Sequence, residues 1–528
     1  MDDIRDRLVR KGDYVYGSFI RPEAVDGYIN GVNPGDRSDI LGRFCFSEAS
    51  VDDAVEHARV AARLWRRVGL NDRAATVRRF RGAIGRCRER VVGLITRETG
   101  KPMWQARREV IETLKMLDHV LDAGLACLAP NVVESIAGRN DAIPRGVVAL
   151  LCPFNYPCLI PATHSATALL AGNTVVYKPS KFAPGVGQLI AELWDQCKLP
   201  RGVVNMVQGS GSGVGKRLIT HNAIDALVVA GGFNTAMDVR RQVFERPELP
   251  VLYLSGGKGV ALVFEGGEVD RAVYEVMTGA FLSTGQRHDN TARAIVHAAV
   301  WDEFVDKLVT QTQRLRLGYG FDNAVFMGPL ISENSRSRFR RYGRAVASKG
   351  HDVLLEGVSR TKLSRRGFYV TPAIYNVNWR GGSAFLNEEP PGPTLLLYKV
   401  DSTDEAIALH NQARYRLACS LFPKPGDSGL PDIVDRLRTG SLFLNRSTTH
   451  SILPLEAVGL GRSSNGWAGG LGLLRVLTYP RSQVAETQAF DASHALPGTF
   501  WNDEEPTADL PAIEVEAEMD VSAMLEPI

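Results

Sequence analysis

The feature that most constrains this chain is a regular alternation between residues 146 and 255. The short runs GVVALLCP, TVVYKPS, VVNMVQG, ALVVAGG and VLYLSGG are mostly apolar. They lack the every-second-residue polarity of a half-solvated strand, so they predict strands covered on both faces. The segments between them predict helices: PCLIPATHSATALLAG, PGVGQLIAELWDQCKLP with Pro184 near its start, GVGKRLITH and NTAMDVRRQVFER. Strands alternating with helices at this spacing imply βαβ units and a parallel sheet. Right-handed crossovers then give a doubly wound, dinucleotide-binding type of domain.

The flanking regions read differently. Residues 51–125 carry apolar residues at spacings of three and four, which predicts three helices. Ser50 is the expected N-cap of the first, Gly100 the expected stop of the second, and the third follows Pro102. From about 258 to 443 a second α/β region is expected, with VALVFEG, ARAIVHAAV and TLLLYKV as strands. Near the C-terminus, LLRVLTYPRSQVAE resembles a strand. The last 28 residues hold nine acidic residues and no Lys or Arg, and a disordered tail is expected from about 498.

Charge narrows the function classes. The chain of 528 residues has net charge +3. Without the acidic tail, 62 basic residues face 50 acidic ones, leaving +12 spread over the first 500. That density is weak for nucleic-acid binding, and the Arg-rich helices of 51–125 read as solvated faces. The seven cysteines are scattered and form no CxxC pair, so neither zinc nor a disulfide framework is indicated. The start MDDIRDRLVRKG has no apolar core and no run of 18 apolar residues occurs, so no membrane span and a cytoplasmic location are expected. The glycine-rich run Gly209-Ser-Gly211-Ser-Gly213-Val-Gly215 lies where a strand passes into a helix. It reads either as a phosphate cradle or as a flexible turn, and Val214 breaks the G-x-G-x-x-G pattern.

Several motifs occur in one order along the chain: Arg97-Glu98-Thr99-Gly100-Lys101-Pro102, Pro153-Phe154-Asn155-Tyr156-Pro157, Gly172-Asn173-Thr174-Val175-Val176-Tyr177-Lys178-Pro179-Ser180, Phe281 with Gly285-Gln286, Arg293, and Glu389-Pro390-Pro391-Gly392-Pro393. Together they resemble the aldehyde dehydrogenase superfamily over about residues 20–490. PFNYP, LLAGNTVVYKPS, LPRGVVNMVQG and GQR are most similar to its succinylglutamate-semialdehyde dehydrogenase branch. The resemblance implies an aldehyde dehydrogenase-like α/β fold. A Rossmann-type dinucleotide-binding domain would span 1–127 and 147–253, and a catalytic-type α/β domain 254–469. Oligomerisation strands would lie at 128–146 and 470–497, supporting a homodimer or homotetramer, ahead of an acidic tail at 498–528.

The resemblance also implies a mechanism. A cysteine thiolate attacks the aldehyde, hydride passes to NAD(P)+, a glutamate activates water, and an asparagine stabilises the oxyanion. The asparagine falls on Asn155 and is present. The cysteine of F-x-x-x-G-Q-x-C is replaced by His288, with Arg293 still in register. The glutamate of L-E-L-G-G-K is replaced by Leu254, which cannot accept a proton. Cys152 and Cys158 flank the asparagine segment and read as inert buried thiols, and His164 and His221 read as structural.

In the cofactor motif Lys178 and Ser180 are kept, but the glutamate that would hold the ribose diol is Lys181. An ammonium pairs with a 2′-phosphate, so NADP is favoured over NAD, unless the cofactor is lost. Gly231 stands in the strand-end segment Ala230-Gly231-Gly232, which lacks a hydroxyl, and Glu389 keeps the nicotinamide-ribose position. Two catalytic positions lost on separate segments point to a pseudoenzyme that keeps ligand binding or scaffolds an assembly, with the acidic tail docking a protein partner. The competing expectation is an active NAD(P)-dependent aldehyde oxidoreductase with a succinylglutamate-semialdehyde-like substrate, or a related enzyme with an unconventional nucleophile.

Overall fold

The apolar runs become the central strands of a seven-stranded sheet. A computed structural model of the chain describes residues 10–360, 365–381, 385–491 and 499. The spatial order of the first sheet is Val251–Ser255, Ala226–Gly231, Val147–Leu151, Thr174–Lys178, Val204–Met206, Asp13–Val15, Ser18–Ile20. The five strands after residue 146 are parallel. Chain order runs outward in both directions from Val147–Leu151, so a topological switch point lies between it and Ala226–Gly231. Ligands of open α/β sheets bind at the carboxyl ends of strands beside such a point.

The helices follow from apolar periodicity. They are α1 Ala49–Trp65, α2 Leu70–Arg86, α3 Arg88–Thr99, α4 Met103–Leu128, α5 Leu159–Leu170, α6 Pro184–Asp195, α7 Lys216–Thr220 and α8 Phe233–Gln242. Every residue of α5 from Pro161 to Leu170 is buried, as expected of a helix apolar on all sides. Gly100 closes α3 with φ +75°, the left-handed cap conformation that glycine favours. Two expectations fail locally. Ser50 is not the N-cap: α1 begins at Ala49, and Ser50 is buried inside it, bonding Asp13. The long helix expected before Gly100 breaks at Cys87 into α2 and α3.

The second sheet has the order Asp352–Leu355, Ala373–Asn376, Thr394–Val400, Thr291–His297, Gly259–Val263, Ala418–Phe422, Ser441–Leu444. All its pairs are parallel except the first. Helix α9, Val269–Phe281, leads into the loop that carries His288. Both sheets belong to one compact unit, the described parts of residues 1–130 and 141–481. A smaller unit comprises residues 131–140 and the described residues from 482 onward. In it Asn131 pairs antiparallel with Asn140, and Ser482 Oγ donates to Asn140 Oδ1 (2.7 Å). The stretch expected to be one strand near the C-terminus is a helix at Leu473–Leu477 and a strand only from Thr478. Leu473, Leu474, Val476 and Leu477 recur at helical spacing and are all buried in the first-sheet core. The tail expected to be disordered, residues 498–528, lies outside the described residues except for Thr499.

The antiparallel edge strand Asp13–Val15 brings a carboxyl into the core. Asp13 is fully buried and accepts from Gln208 N (2.7 Å), and burial pushes its pKa up to about 7. A raised carboxyl pKa favours folding while protonated, so its stabilisation is complete below the unfolded value near 4 and is lost as pH rises through about 7. That displacement corresponds to on the order of 4 kcal/mol. Asp13→Asn, which stays neutral, is expected to melt above the wild type at pH 8.5, with the gap closing toward pH 5. Equal gaps at both pH values in thermal melts would contradict this assignment.

Candidate active site

The site is built where two chain segments cross. At the end of strand Val251–Ser255 the chain turns through Gly256 and Gly257 into Lys258. Lys258 N donates to the His288 carbonyl (2.6 Å), and Lys258 Nζ donates to the Gly285 carbonyl (2.6 Å). A Cβ on Gly257 would lie 2.0 Å from the His288 oxygen, so only glycine permits the crossing. The crossing brings Leu254 and His288 to the wall of one cavity of about 230 Å³.

The loop before His288 is strained. Ser283, Thr284 and Gly285 all have positive φ (52°, 57° and 64°). Hydrogen bonds hold it: Ser283 N and Oγ donate to Gln105 Oε1 (3.1 and 2.8 Å), and Thr284 Oγ1 donates to the Gly328 carbonyl (3.0 Å). The His288 ring is exposed to the cavity and meets Tyr156 edge-on (5.7 Å). Surrounding protein, then the Arg287 and Lys258 cations, push its pKa down against the pull of Asp289. Solvent at its open face moderates the shift, but its direction favours a neutral imidazole. Asp289 is bonded through both oxygens to Arg287 (2.8 and 2.5 Å), and its pKa falls to about 2: burial raises it, but the Arg287 charge and the hydrogen bonds outweigh burial. It is therefore a poor proton acceptor at neutral pH.

Asn155 follows the carboxyl end of Val147–Leu151. Its Nδ2 donates to the Gln286 carbonyl (3.1 Å), so its amide is engaged by the loop that carries His288. Lys101 Nζ donates to the Asn155 carbonyl (2.5 Å) and pairs with Glu109 (2.5 Å) in a buried ion pair. Glu109 Oε1 in turn accepts from Cys158 N and Leu159 N at the start of α5 (3.0 and 3.2 Å). Lys101 and Arg287 lie over the Tyr156 ring (4.8 and 5.3 Å). Motif reading assigned no role to Lys101 or Glu109; their eight-residue spacing on the approach to α4 was the available signal.

Among the described residues no cysteine lines the cavity. Cys152 and Cys158 are buried, and burial pushes the Cys152 thiol up to about 12 and Cys158 above the ordinary thiol range. Such thiols are poor nucleophiles. His164, expected to be structural, lines the cavity, whereas His221 accepts from Ala223 N (3.1 Å) in a turn.

Of the cofactor positions, Lys178 and Gly231 lie at the carboxyl ends of first-sheet strands, Ser180 and Lys181 just beyond Lys178, and Glu389 in the segment before Thr394–Val400. Lys178 is buried, and its Nζ donates to the Pro179 and Gly209 carbonyls (2.8 and 3.2 Å). Burial, aided by the Lys181 cation, lowers its pKa to about 8. Lys181 is exposed and packs over Phe182 (5.3 Å), and Ser180 Oγ accepts from Phe182 N (3.2 Å). Gly231 ends its strand and accepts from Gly256 N (3.2 Å). Glu389 Oε2 accepts from Tyr415 Oη (3.5 Å). The Lys181 cation disfavours the charge on Lys178, and a phosphate held between the two ammonium groups would offset that. The glycine-rich turn is a less suitable cradle. Ser210 Oγ caps Gly213 N (2.9 Å), and a Cβ on Gly213 would meet Glu48 Oε1 at 2.4 Å, which places a carboxylate beside the turn.

The doubly wound sheet with its switch point, joined to a second parallel α/β sheet, defines an aldehyde dehydrogenase fold. A model described as "Aldehyde dehydrogenase family" matches residues 19–482, and the chain belongs to that family. It is 32% identical over 425 residues to N-succinylglutamate 5-semialdehyde dehydrogenase of Escherichia coli, covering 79% of this chain and 84% of the relative. The enzyme of the same description from Chromobacterium violaceum is 32% identical over 445 residues, covering 82% and 88%. Among solved structures, Aldehyde Dehydrogenase C of Pseudomonas syringae, in complex with NAD+ and octanal, superposes with TM-score 0.84 at 26% identity over 91% of this chain and 97% of the other. An NAD+ complex of an aldehyde dehydrogenase from Bacillus cereus gives TM-score 0.86 at 24% identity over 92% and 99%, a likeness of fold.

The Lys101–Glu109 pair yields a test. Removing one partner of a buried ion pair leaves an uncompensated charge, typically costing roughly 3–5 kcal/mol. Lys101→Met is expected to lower stability by about that amount in urea denaturation, and adding Glu109→Gln to recover a large part of it. Additive losses in the double variant would show that the two side chains do not act as a pair.

Proposed function

We propose that this chain is a catalytically degenerate aldehyde dehydrogenase that keeps a nucleotide site and does not oxidise aldehydes. The observation that carries the proposal is the shared cavity of Leu254 and His288. One position offers no proton acceptor and the other no thiolate. The carboxylates at the same cavity, Asp289 and Glu112, are bonded to Arg287 and Arg108 (2.8 and 3.2 Å). Asn155 and the cofactor positions Lys178, Ser180, Lys181, Gly231 and Glu389 persist as binding geometry around an inactive centre. Lys178 and Lys181 support NADP over NAD.

The reading extends to assembly and location. It assigns 1–127 with 147–253 to nucleotide binding, 254–469 to the catalytic-type domain, and 128–146 with 470–497 to a homodimer or homotetramer contact. The acidic 498–528 segment would dock a protein partner in the cytoplasm. Among the described residues no helix is long and apolar enough to cross a membrane.

Purified protein is expected to produce no NADH or NADPH from N-succinylglutamate 5-semialdehyde or simple aldehydes. Turnover at 1% of an ordinary family member, measured by absorbance, would sink the inactive-enzyme reading. In calorimetry NADPH is expected to bind at least tenfold tighter than NADH, and Lys181→Ala to remove that preference. Equal affinities in the unmodified protein would remove the argument from Lys181.

A further inference from the structure

The cavity shared by Leu254 and His288 has a polarity of its own. Its walls include Met116, Leu159, Ile160, Leu254, Phe443 and Ile452. Leucine at 254 makes that wall apolar where the family motif has a carboxylate. At about 230 Å³ it is smaller than the roughly 300–1,000 Å³ of drug-sized pockets, so its occupant is small.

Among the described residues the one Lys or Arg that lines this cavity is Arg287, and it already has a carboxylate. Arg287 commits Nε and Nη2 to Asp289 and also donates to the Thr449 carbonyl (3.2 Å). Arg108 holds Glu112 (3.2 Å). Arg446, which acts electrostatically on His450, does not line the cavity and is exposed and screened by water and salt. The imidazoles add no charge. Burial lowers His164 to about 4, and His288 and His450 are shifted down as well.

His164 also fixes the sense of the hydrogen bond on offer. Thr163 Oγ1 donates to the Leu159 carbonyl (2.7 Å), so it accepts from His164 Nδ1 (3.1 Å). That tautomer, assigned from the bonding pattern, leaves Nε2 a bare acceptor, and it has no hydrogen-bond partner. A ligand carboxylate entering here would shed water and meet no uncompensated cation, whereas a neutral donor suits the wall.

We propose that this cavity binds a small uncharged molecule with an apolar body and a hydroxyl head, and excludes carboxylates. The proposal deepens the reading of residues 254 and 288 as the walls of a retained ligand site. It separates this chain from the relatives described by an anionic semialdehyde.

The test uses the full chain at pH 7.5 with three probes: 1-octanol, octanoate, and the six-carbon dicarboxylate adipate. Ligand-observed NMR titration is expected to show 1-octanol binding at least tenfold tighter than octanoate, and no adipate binding. Leu254→Glu is expected to weaken 1-octanol at least tenfold. Should that variant fail to fold, Ile160→Trp fills the same space and is expected to do likewise. Octanoate binding as tightly as 1-octanol, adipate binding, or no 1-octanol binding would each overturn the proposal. NADP-dependent turnover of octanal, assayed in parallel, decides the inactive-enzyme reading separately, because affinity for 1-octanol does not depend on chemistry.

Discussion

The close crossing of the segment 256–258 over 285–288 is the contact on which the site depends. It joins the last strand of the first sheet to the loop that precedes Thr291–His297 in the second. Its bonds use main-chain atoms of Lys258, Gly285 and His288, with the Lys258 ammonium as clamp. Gly285 is as constrained as Gly257, since a Cβ there would lie 2.0 Å from the Gly392 carbonyl oxygen. The crossing therefore draws in a third segment, the one that leads to strand Thr394–Val400. Glu389, three residues before Gly392, is electrostatically coupled to Lys258. Crossing, clamp and coupled carboxylate form one framework. It places side chains 254 and 288 together whatever those side chains are.

That independence means the architecture of the loop does not rest on the side chains at 254 and 288. The strained residues Ser283 and Thr284 are stabilised by Gln105, Gly328 and Gln286, none of which is a replaced position. Strain of this kind costs on the order of 1–3 kcal/mol per residue and persists only where surroundings over-determine it. Here those surroundings remain. His288 is fixed through its carbonyl, and Leu254 sits within a strand whose backbone pairs with Ala230. A substitution at either position removes a reacting group without touching a bond that holds the fold.

How much was legible follows from where the information lies. The parallel sheet was readable because a strand buried on both faces is largely apolar without alternation, as VVALL and the VVY of TVVYK are. The hairpin Gly27–Asn33 with Asp36–Phe46 was not, because GYINGVN mixes glycine and polar residues and is set by pairing rather than by pattern. The break at Cys87 was hidden because the apolar spacing runs on through it. Helix Glu333–Ser348 was passed over: it is mostly Arg and Ser, with Phe339 and Val346 its buried anchors. At the site, motif register on both sides of Leu254 and His288 singled out both positions, and the fold brings them to one cavity wall. The Lys101–Glu109–Asn155 connection was not, since its third member lies 54 residues from the first and only the fold joins them.

The same reasoning decides what the replaced positions mean for ligand binding. Leucine at 254 keeps that part of the cavity wall apolar. The carboxylates that line it are matched, Asp289 with Arg287 and Glu112 with Arg108, and matched pairs attract little further charge. On the Lys178–Lys181 side two cations lie near each other, and a phosphate would satisfy them. On the reading proposed above, one region suits an anion and the other a neutral apolar molecule, with Leu254 and His288 on the wall of the second.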